Sequence, residues 1–158
     1  MQRIGARNRA RSRAIAVALA AATVAAGCGD NPSTGVPVSC KKGPAAIRTA
    51  LKRAPLDVRL GGVRLSSCFT RGSGQGDVQA VGLSFLPAVT ALAAAARDHP
   101  GGPAAMRLGF LVGAVHRGGA GAQGIYSELV RRIDAELAGV DTNAPRFQAG
   151  RRAGRDHG

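Results

Sequence analysis

Residues 103–117 read PAAMRLGFLVGAVHR and have the pattern of a helix. A proline at the first position, followed by apolar residues three and four apart, predicts an α-helix. Ala105, Gly109 and Gly113 recur every fourth residue, although a glycine inside a helix costs about 1 kcal/mol relative to alanine. Because small residues at this spacing allow another backbone to approach closely, we expect this helix to pack tightly against the helix that follows it.

Helical patterns lie on both sides of this stretch. Pro44 stands at a first-turn position before apolar residues with helical spacing, and Pro55 ends that segment. Residues 78–98 repeat apolar side chains in the same way through Pro87, and residues 125–140 form a fourth segment. Short links join the segments, which is typical of helical bundles. We therefore predict a mainly α fold, a small antiparallel helical bundle of about four helices.

One segment departs from the helical pattern. Residues 58–65 read VRLGGVRL, in which apolar and polar residues alternate on both sides of a Gly-Gly pair. Two alternating runs joined by two glycines are typical of a β-hairpin, because glycine adopts the positive φ angles of the tight turn. We therefore predict a short β-hairpin near residues 58–65, supported by the helices.

The N-terminal residues have the pattern of an export signal. Residues 3–13 contain five arginines and no acidic residue, and residues 14–26 are apolar except for Thr23. As a helix this apolar run spans about 20 Å, short of the roughly 30 Å hydrocarbon core of a bilayer. A basic start, a short apolar run and small residues before a cleavage point are typical of a secretory signal peptide, which we place at residues 1–27.

The end of this region reads Val24-Ala25-Ala26-Gly27-Cys28 and resembles the lipobox of bacterial lipoproteins. Ala25 stands where the pattern of that family usually has leucine. The resemblance implies that Cys28 is lipidated and becomes the N-terminus of an exported protein, anchored on the extracytoplasmic face of a bacterial cell envelope. Two or more acyl chains make such an anchor durable. The alternative is an ordinary signal peptide cut nearby, which leaves Cys28 as a free thiol.

The cysteine count agrees with export. With Cys28 assigned to lipid, Cys40 and Cys68 remain, and disulfides persist in oxidising compartments, so we predict a structural disulfide between these two. A redox pair is the alternative, although redox cysteines usually lie two residues apart at the start of a helix. Because the sequence has no spacing typical of a metal site and no nucleotide-binding motif, we expect neither a metal nor a cofactor.

The composition divides the remaining chain into three parts. Residues 28–39 are rich in Gly, Pro, Ser and Asn, and we interpret them as a flexible tether between the membrane and the domain. Residues 40–140 contain the helical patterns and form the predicted helical domain. Residues 141–158 are rich in arginine and glycine and have few apolar side chains, so we predict a disordered basic tail.

The chain is strongly basic, with a net charge of +13. Removing the first 27 residues removes five arginines and leaves 17 basic against nine acidic residues, a net charge of +8. The sequence spreads this charge along the domain and the tail. Because export argues against nucleic acid as a partner, the partners that suit this surface are an envelope protein or an anionic polymer, besides the lipid bilayer that holds Cys28.

Residues suited to catalysis are few. His116 and Arg117 end the third predicted helix, where the helix dipole favours basic side chains, and helix capping is one interpretation of them. With that interpretation no catalytic residue is assigned, and we favour a membrane-anchored lipoprotein with a non-enzymatic role. The alternative is acid–base catalysis by His116 with a carboxylate of the fourth helix, Glu128 or Asp134. The protein would then be an exported small-molecule-binding protein or hydrolase with a site near His116 and Arg117.

Overall fold

The computed structural model describes residues 35–69 and 74–158. The chain divides into two units, Met1–Asp30 and Asn31–Gly158, and all of the described residues belong to the second. The predicted signal peptide, Cys28 and residues 28–34 of the predicted tether therefore lie outside the described residues.

Five helices and one hairpin make up the regular structure of the described residues. The helices are α1 (Pro44–Ala50), α2 (Gln75–Asp98), α3 (Pro103–Gly118), α4 (Ile125–Ala135) and α5 (Pro145–His157). The strands are β1 (Arg59–Leu60) and β2 (Val63–Arg64), and short 3₁₀ segments occupy Val38–Lys41, Leu51–Arg53 and Leu65–Phe69. The prediction of a small helical bundle with a short hairpin is confirmed, and the bundle has one helix more than expected.

The centre of the fold is α3. This helix contacts α2, α4, α5 and the 3₁₀ segment Leu65–Phe69. An unbroken run of its residues is buried, from Leu108 to Val115. A helix that is apolar on all sides must be covered on all sides, and the neighbouring elements provide this cover.

The last helix, α5, corrects two predictions. The tail of residues 141–158, predicted to be disordered, contains this helix, and α5 rather than α4 packs against the small residues of α3. Gly109 and Gly113 face the backbone of α5, and Gly150 and Gly154 face the backbone of α3. A β-carbon at any of the four would overlap a carbonyl oxygen of the other helix. The composition of this segment predicts disorder because large apolar side chains are few. The structure packs the segment by contact between the backbones of α3 and α5 instead.

Two side chains hold the end of α5. Arg117 of α3 donates hydrogen bonds to the carbonyl oxygens of Arg155 at 2.8 Å and Asp156 at 2.6 Å. The Ser66 hydroxyl donates to a backbone oxygen of Gly158, the residue after α5, at 2.6 Å. The last carbonyls of a helix have no partner within the helix, and these side chains supply one. Arg117 is therefore a capping residue, although it caps a helix other than its own.

The predicted hairpin has a two-residue turn. Leu60 pairs with Val63 in antiparallel register, and Gly61 and Gly62 form the turn with φ angles of 58° and 88°. These positive angles are strained for residues with a side chain, which explains the Gly-Gly pair.

The predicted disulfide is present between Cys40 and Cys68. Both residues are completely buried, and their Cα atoms lie 5.6 Å apart. The bond joins the 3₁₀ segment Val38–Lys41 to the segment Leu65–Phe69, which contacts α3. Because Val36 is also buried, the packed domain begins before residue 40, within the stretch predicted to be a tether.

Helix α2 is unbroken through Pro87, and it is held at its start by Asp77 in its first turn. The Asp77 carboxylate accepts a hydrogen bond from the Val36 N–H at 3.2 Å and pairs with Lys41 at 2.8 Å. The Lys41 hydrogen bond, followed by that of Val36, holds the pKa of Asp77 below its usual value.

Among the described residues, α2 is the one helix long and apolar enough to cross a membrane by length and composition. Half of its most apolar window is buried inside the fold. The central helices of water-soluble domains have the same length and composition, and α2 packs against α1, α3 and α4.

Candidate functional site

His116 and Asp134 form the imidazole–carboxylate pair considered in the sequence. His116 lies in the last turn of α3, and its Nε2 atom is 2.8 Å from Oδ1 of Asp134 on α4. The two side chains keep 42% and 41% of their surface exposed. A carboxylate that orients an imidazole is the arrangement of a general base, so the pair has the geometry for proton transfer at an open surface.

The other two residues of the predicted site have different partners. Glu128 pairs on its own helix with Arg131 at 2.7 Å and Arg132 at 2.9 Å. Hydrogen bonds from Arg131 and then Arg132 lower the pKa of Glu128 to about 2. Arg117 caps α5. Of the carboxylates predicted for His116, the structure therefore selects Asp134, and Arg117 donates to α5 instead of facing a shared site.

An apolar groove of about 540 Å³ lies between α2 and α4. Its lining includes Val78, Leu83, Leu86, Ile125 and Leu129. Leu83 is 69% exposed and Ile125 is 46% exposed, so both apolar side chains are accessible at the groove. One residue of this groove can be recognised in the sequence, because Leu83 lies outside the helical repeat of apolar residues along α2.

A second cleft, of about 350 Å³, is basic. It is lined by Ala45, Arg48, Thr49, Lys52, Leu92 and Arg107. Arg48 belongs to α1, Lys52 to the 3₁₀ segment that follows and Arg107 to α3. This lining contains no acidic residue. Within the described part of the chain, none of the three cations has an ion pair or a side-chain hydrogen bond.

The basic cleft differs from the even spread of charge predicted from the sequence. Arg48 and Lys52 are one helical turn apart, so their proximity is visible in the sequence. Arg107 is more than fifty positions away and joins them because the segment Leu51–Arg53 packs against α3. Tertiary packing therefore creates a cluster that a local pattern does not contain.

Within residues 35–69 and 74–158, no three His, Cys, Asp or Glu side chains lie together in a group that could hold a metal ion. Comparison of the chain with known protein families, curated proteins and solved structures found no match.

Proposed function

We propose that this protein is an exported, membrane-anchored lipoprotein whose domain has a non-enzymatic role and contacts an anionic component of the cell envelope. The buried disulfide between Cys40 and Cys68 carries the proposal, because such bonds form and persist in oxidising compartments outside the cytoplasm. With these two cysteines joined, Cys28 is the remaining cysteine of the chain and is the residue for acylation.

The charge of the protein favours an anionic partner. After residue 27 the chain has a net charge of +8, and an acyl anchor on Cys28 would hold it close to anionic headgroups and polymers. The cleft of Arg48, Lys52 and Arg107 offers cations that no carboxylate of the described chain already neutralises. These observations support contact with an anion.

The anchor is tested by substituting Cys28→Ser and fractionating the cells. We expect the wild-type protein in the membrane fraction, labelled by a clickable fatty acid, and the variant in the soluble exported fraction without label. Acyl chains supply about 0.8 kcal/mol of membrane binding per buried methylene, so their loss removes the main attachment. Ser33→Ala, which keeps Cys28, is the control and is expected to stay in the membrane. A Cys28→Ser protein that stays in the membrane in high salt contradicts the proposal.

A second candidate function is hydrolysis with His116 as a general base. The 2.8 Å contact between His116 and Asp134 favours it. Its test is a panel of ester and phosphoester substrates with the variants His116→Gln and His99→Gln. His99 is the matched control because it follows α2 and is exposed. Activity lost in His116→Gln and kept in His99→Gln supports hydrolysis, and a wild-type protein without activity on the panel removes this candidate.

A further inference from the structure

We infer that the cleft lined by Arg48, Lys52 and Arg107 is a binding site for a phosphoryl group. The inference rests on the proposed function for its setting, an anionic component of the envelope, and adds the site and the chemistry of the ligand. Binding itself can be measured in solution, so a failure of the anchor and a failure of this site give different results.

The cleft concentrates positive charge. Arg48 of α1 and Lys52 of the following 3₁₀ segment are like charges that line one cleft, and Arg107 brings a third positive charge from α3. Elsewhere in the described residues, four Lys and Arg side chains are in ion pairs: Lys41 with Asp77, Arg59 with Asp57, and Arg131 and Arg132 with Glu128. A bound anion would neutralise the repulsion that the cleft retains.

The charges and hydrogen-bond donors of the cleft match those of a phosphoryl group. A phosphate monoester carries about −1.5 to −2 charges and three acceptor oxygens, whereas a carboxylate carries one charge and two oxygens. Two guanidinium groups can each donate two parallel hydrogen bonds to such oxygens, and Lys52 adds a point charge. Thr49 adds a hydroxyl donor to the lining. Three cations and a hydroxyl therefore suit a phosphoryl group better than a single carboxylate.

The cleft has the size of a site for a small ligand. Its volume of about 350 Å³ is at the lower end of the roughly 300–1,000 Å³ of ligand pockets. Leu92, which is 7% exposed, and Ala45 give the lining an apolar part for the carbon atoms next to the phosphorus. The cleft therefore accommodates one phosphate monoester with the carbon atoms next to it, carried either by a polymer or by a lipid headgroup.

The test compares two triple variants in the full exported chain with Cys28→Ser, which removes any acyl anchor. The cleft variant is Arg48→Gln/Lys52→Gln/Arg107→Gln. The control variant is Lys42→Gln/Arg146→Gln/Arg152→Gln. It also removes two arginines and one lysine, but from exposed positions outside the cleft. Because both variants lose three charges, a general effect of net charge changes them equally. Thermal unfolding followed by circular dichroism checks that both remain folded.

The probes are poly(vinyl phosphate) and phosphatidic acid vesicles, which carry phosphate monoesters on a polymer and on a lipid, and polygalacturonate, which carries carboxylates without phosphate. We expect the cleft variant to bind a phosphoryl probe about tenfold or more weakly than the parent, since it loses several charge-assisted hydrogen bonds, and the control variant to change much less. Loss of binding to poly(vinyl phosphate) identifies a polymer as the source of the phosphoryl group, and loss of binding confined to the vesicles identifies a lipid headgroup. Three results would overturn the inference. They are equal weakening of phosphoryl binding in both variants, an affinity of the parent for polygalacturonate equal to that for the phosphoryl probes, and no binding of either phosphoryl probe by the parent.

Discussion

Four glycines set the distance between α3 and α5, because each lets a carbonyl oxygen of the opposite helix lie where a β-carbon would be. We expect Gly113→Ala to lower the free energy of unfolding by about 1–3 kcal/mol, since the methyl group overlaps the Arg151 carbonyl oxygen and the helices must move apart. Gly76→Ala is the matched control. Gly76 lies in α2 with open space around it, so alanine there should stabilise the protein by up to about 1 kcal/mol.

Thermal or denaturant unfolding of the two variants measures both changes. The opposite signs matter more than the magnitudes, because alanine has a better helix propensity than glycine at both positions. A Gly113→Ala protein as stable as the Gly76→Ala protein would contradict the close contact of the two backbones.

Glu128 provides a prediction on pH. Its pKa is lowered from 4.5 to about 2 by the hydrogen bonds of Arg131 and Arg132, so the carboxylate is more favourable in the folded than in the unfolded state. This contribution to stability is present above about pH 4.5 and is lost as the pH falls toward about 2. An NMR titration of the Glu128 carboxyl carbon should give the low pKa in the parent. In Arg131→Gln/Arg132→Gln it should return toward 4.5, and a titration near 4.5 in both proteins would contradict the pairing.

At the scale of elements, local pattern predicts those structures whose cause is local. The turn at Gly61 and Gly62 follows from the backbone angles that glycine permits, and the hairpin is found where the alternation places it. The start of α3 follows from Pro103 in its first turn. α4 ends at Ala135, before the predicted end at residue 140, although Val140 still packs partly against the core.

Helix α5 is not predicted by its local sequence pattern. Its buried residues are Phe147, Gly150 and Gly154, so a count of large apolar side chains indicates disorder. The available sign was the spacing Gly150-x-x-x-Gly154, which repeats the spacing Gly109-x-x-x-Gly113 of α3. Two helices with small residues at the same interval can pack backbone against backbone, but nothing in either segment alone states which pair will meet. The basic cleft was missed for the same reason, since Arg107 reaches it through packing.

Hydrogen exchange distinguishes the packed helix from a disordered tail. We expect the backbone amides of α5 to exchange almost as slowly as those of α3, because α5 is packed along α3 and capped by Arg117 and Ser66. The connection of residues 119–124 is the internal control and should exchange quickly. Mass spectrometry of peptides from residues 145–158 makes the measurement, and exchange of those peptides as fast as that of the connection would contradict the fold.

In the molecule as a whole, the core has few aromatic side chains. The chain contains four phenylalanines, one tyrosine and no tryptophan, and all four phenylalanines are fully buried. Phe69 and Phe85 meet edge to face with ring centroids 4.8 Å apart. A covalent link supplements this core, and it joins the start of the packed domain to the segment that carries Phe69.

The disulfide should therefore contribute a substantial part of the stability. It connects residues separated by 28 positions, and the loop-entropy argument gives about 3–4 kcal/mol for a loop of this length. Since small domains have roughly 5–15 kcal/mol of stability in total, we expect Cys40→Ser/Cys68→Ser to lower the melting temperature by roughly 10 °C or more. Reduction of the parent protein should lower it by a similar amount. Cys28→Ser keeps both disulfide cysteines, and its melting temperature should not change. An unchanged melting temperature in the double variant would mean that the α3–α5 contact and the apolar core hold the domain without a covalent link. The disulfide would then not be required for the fold.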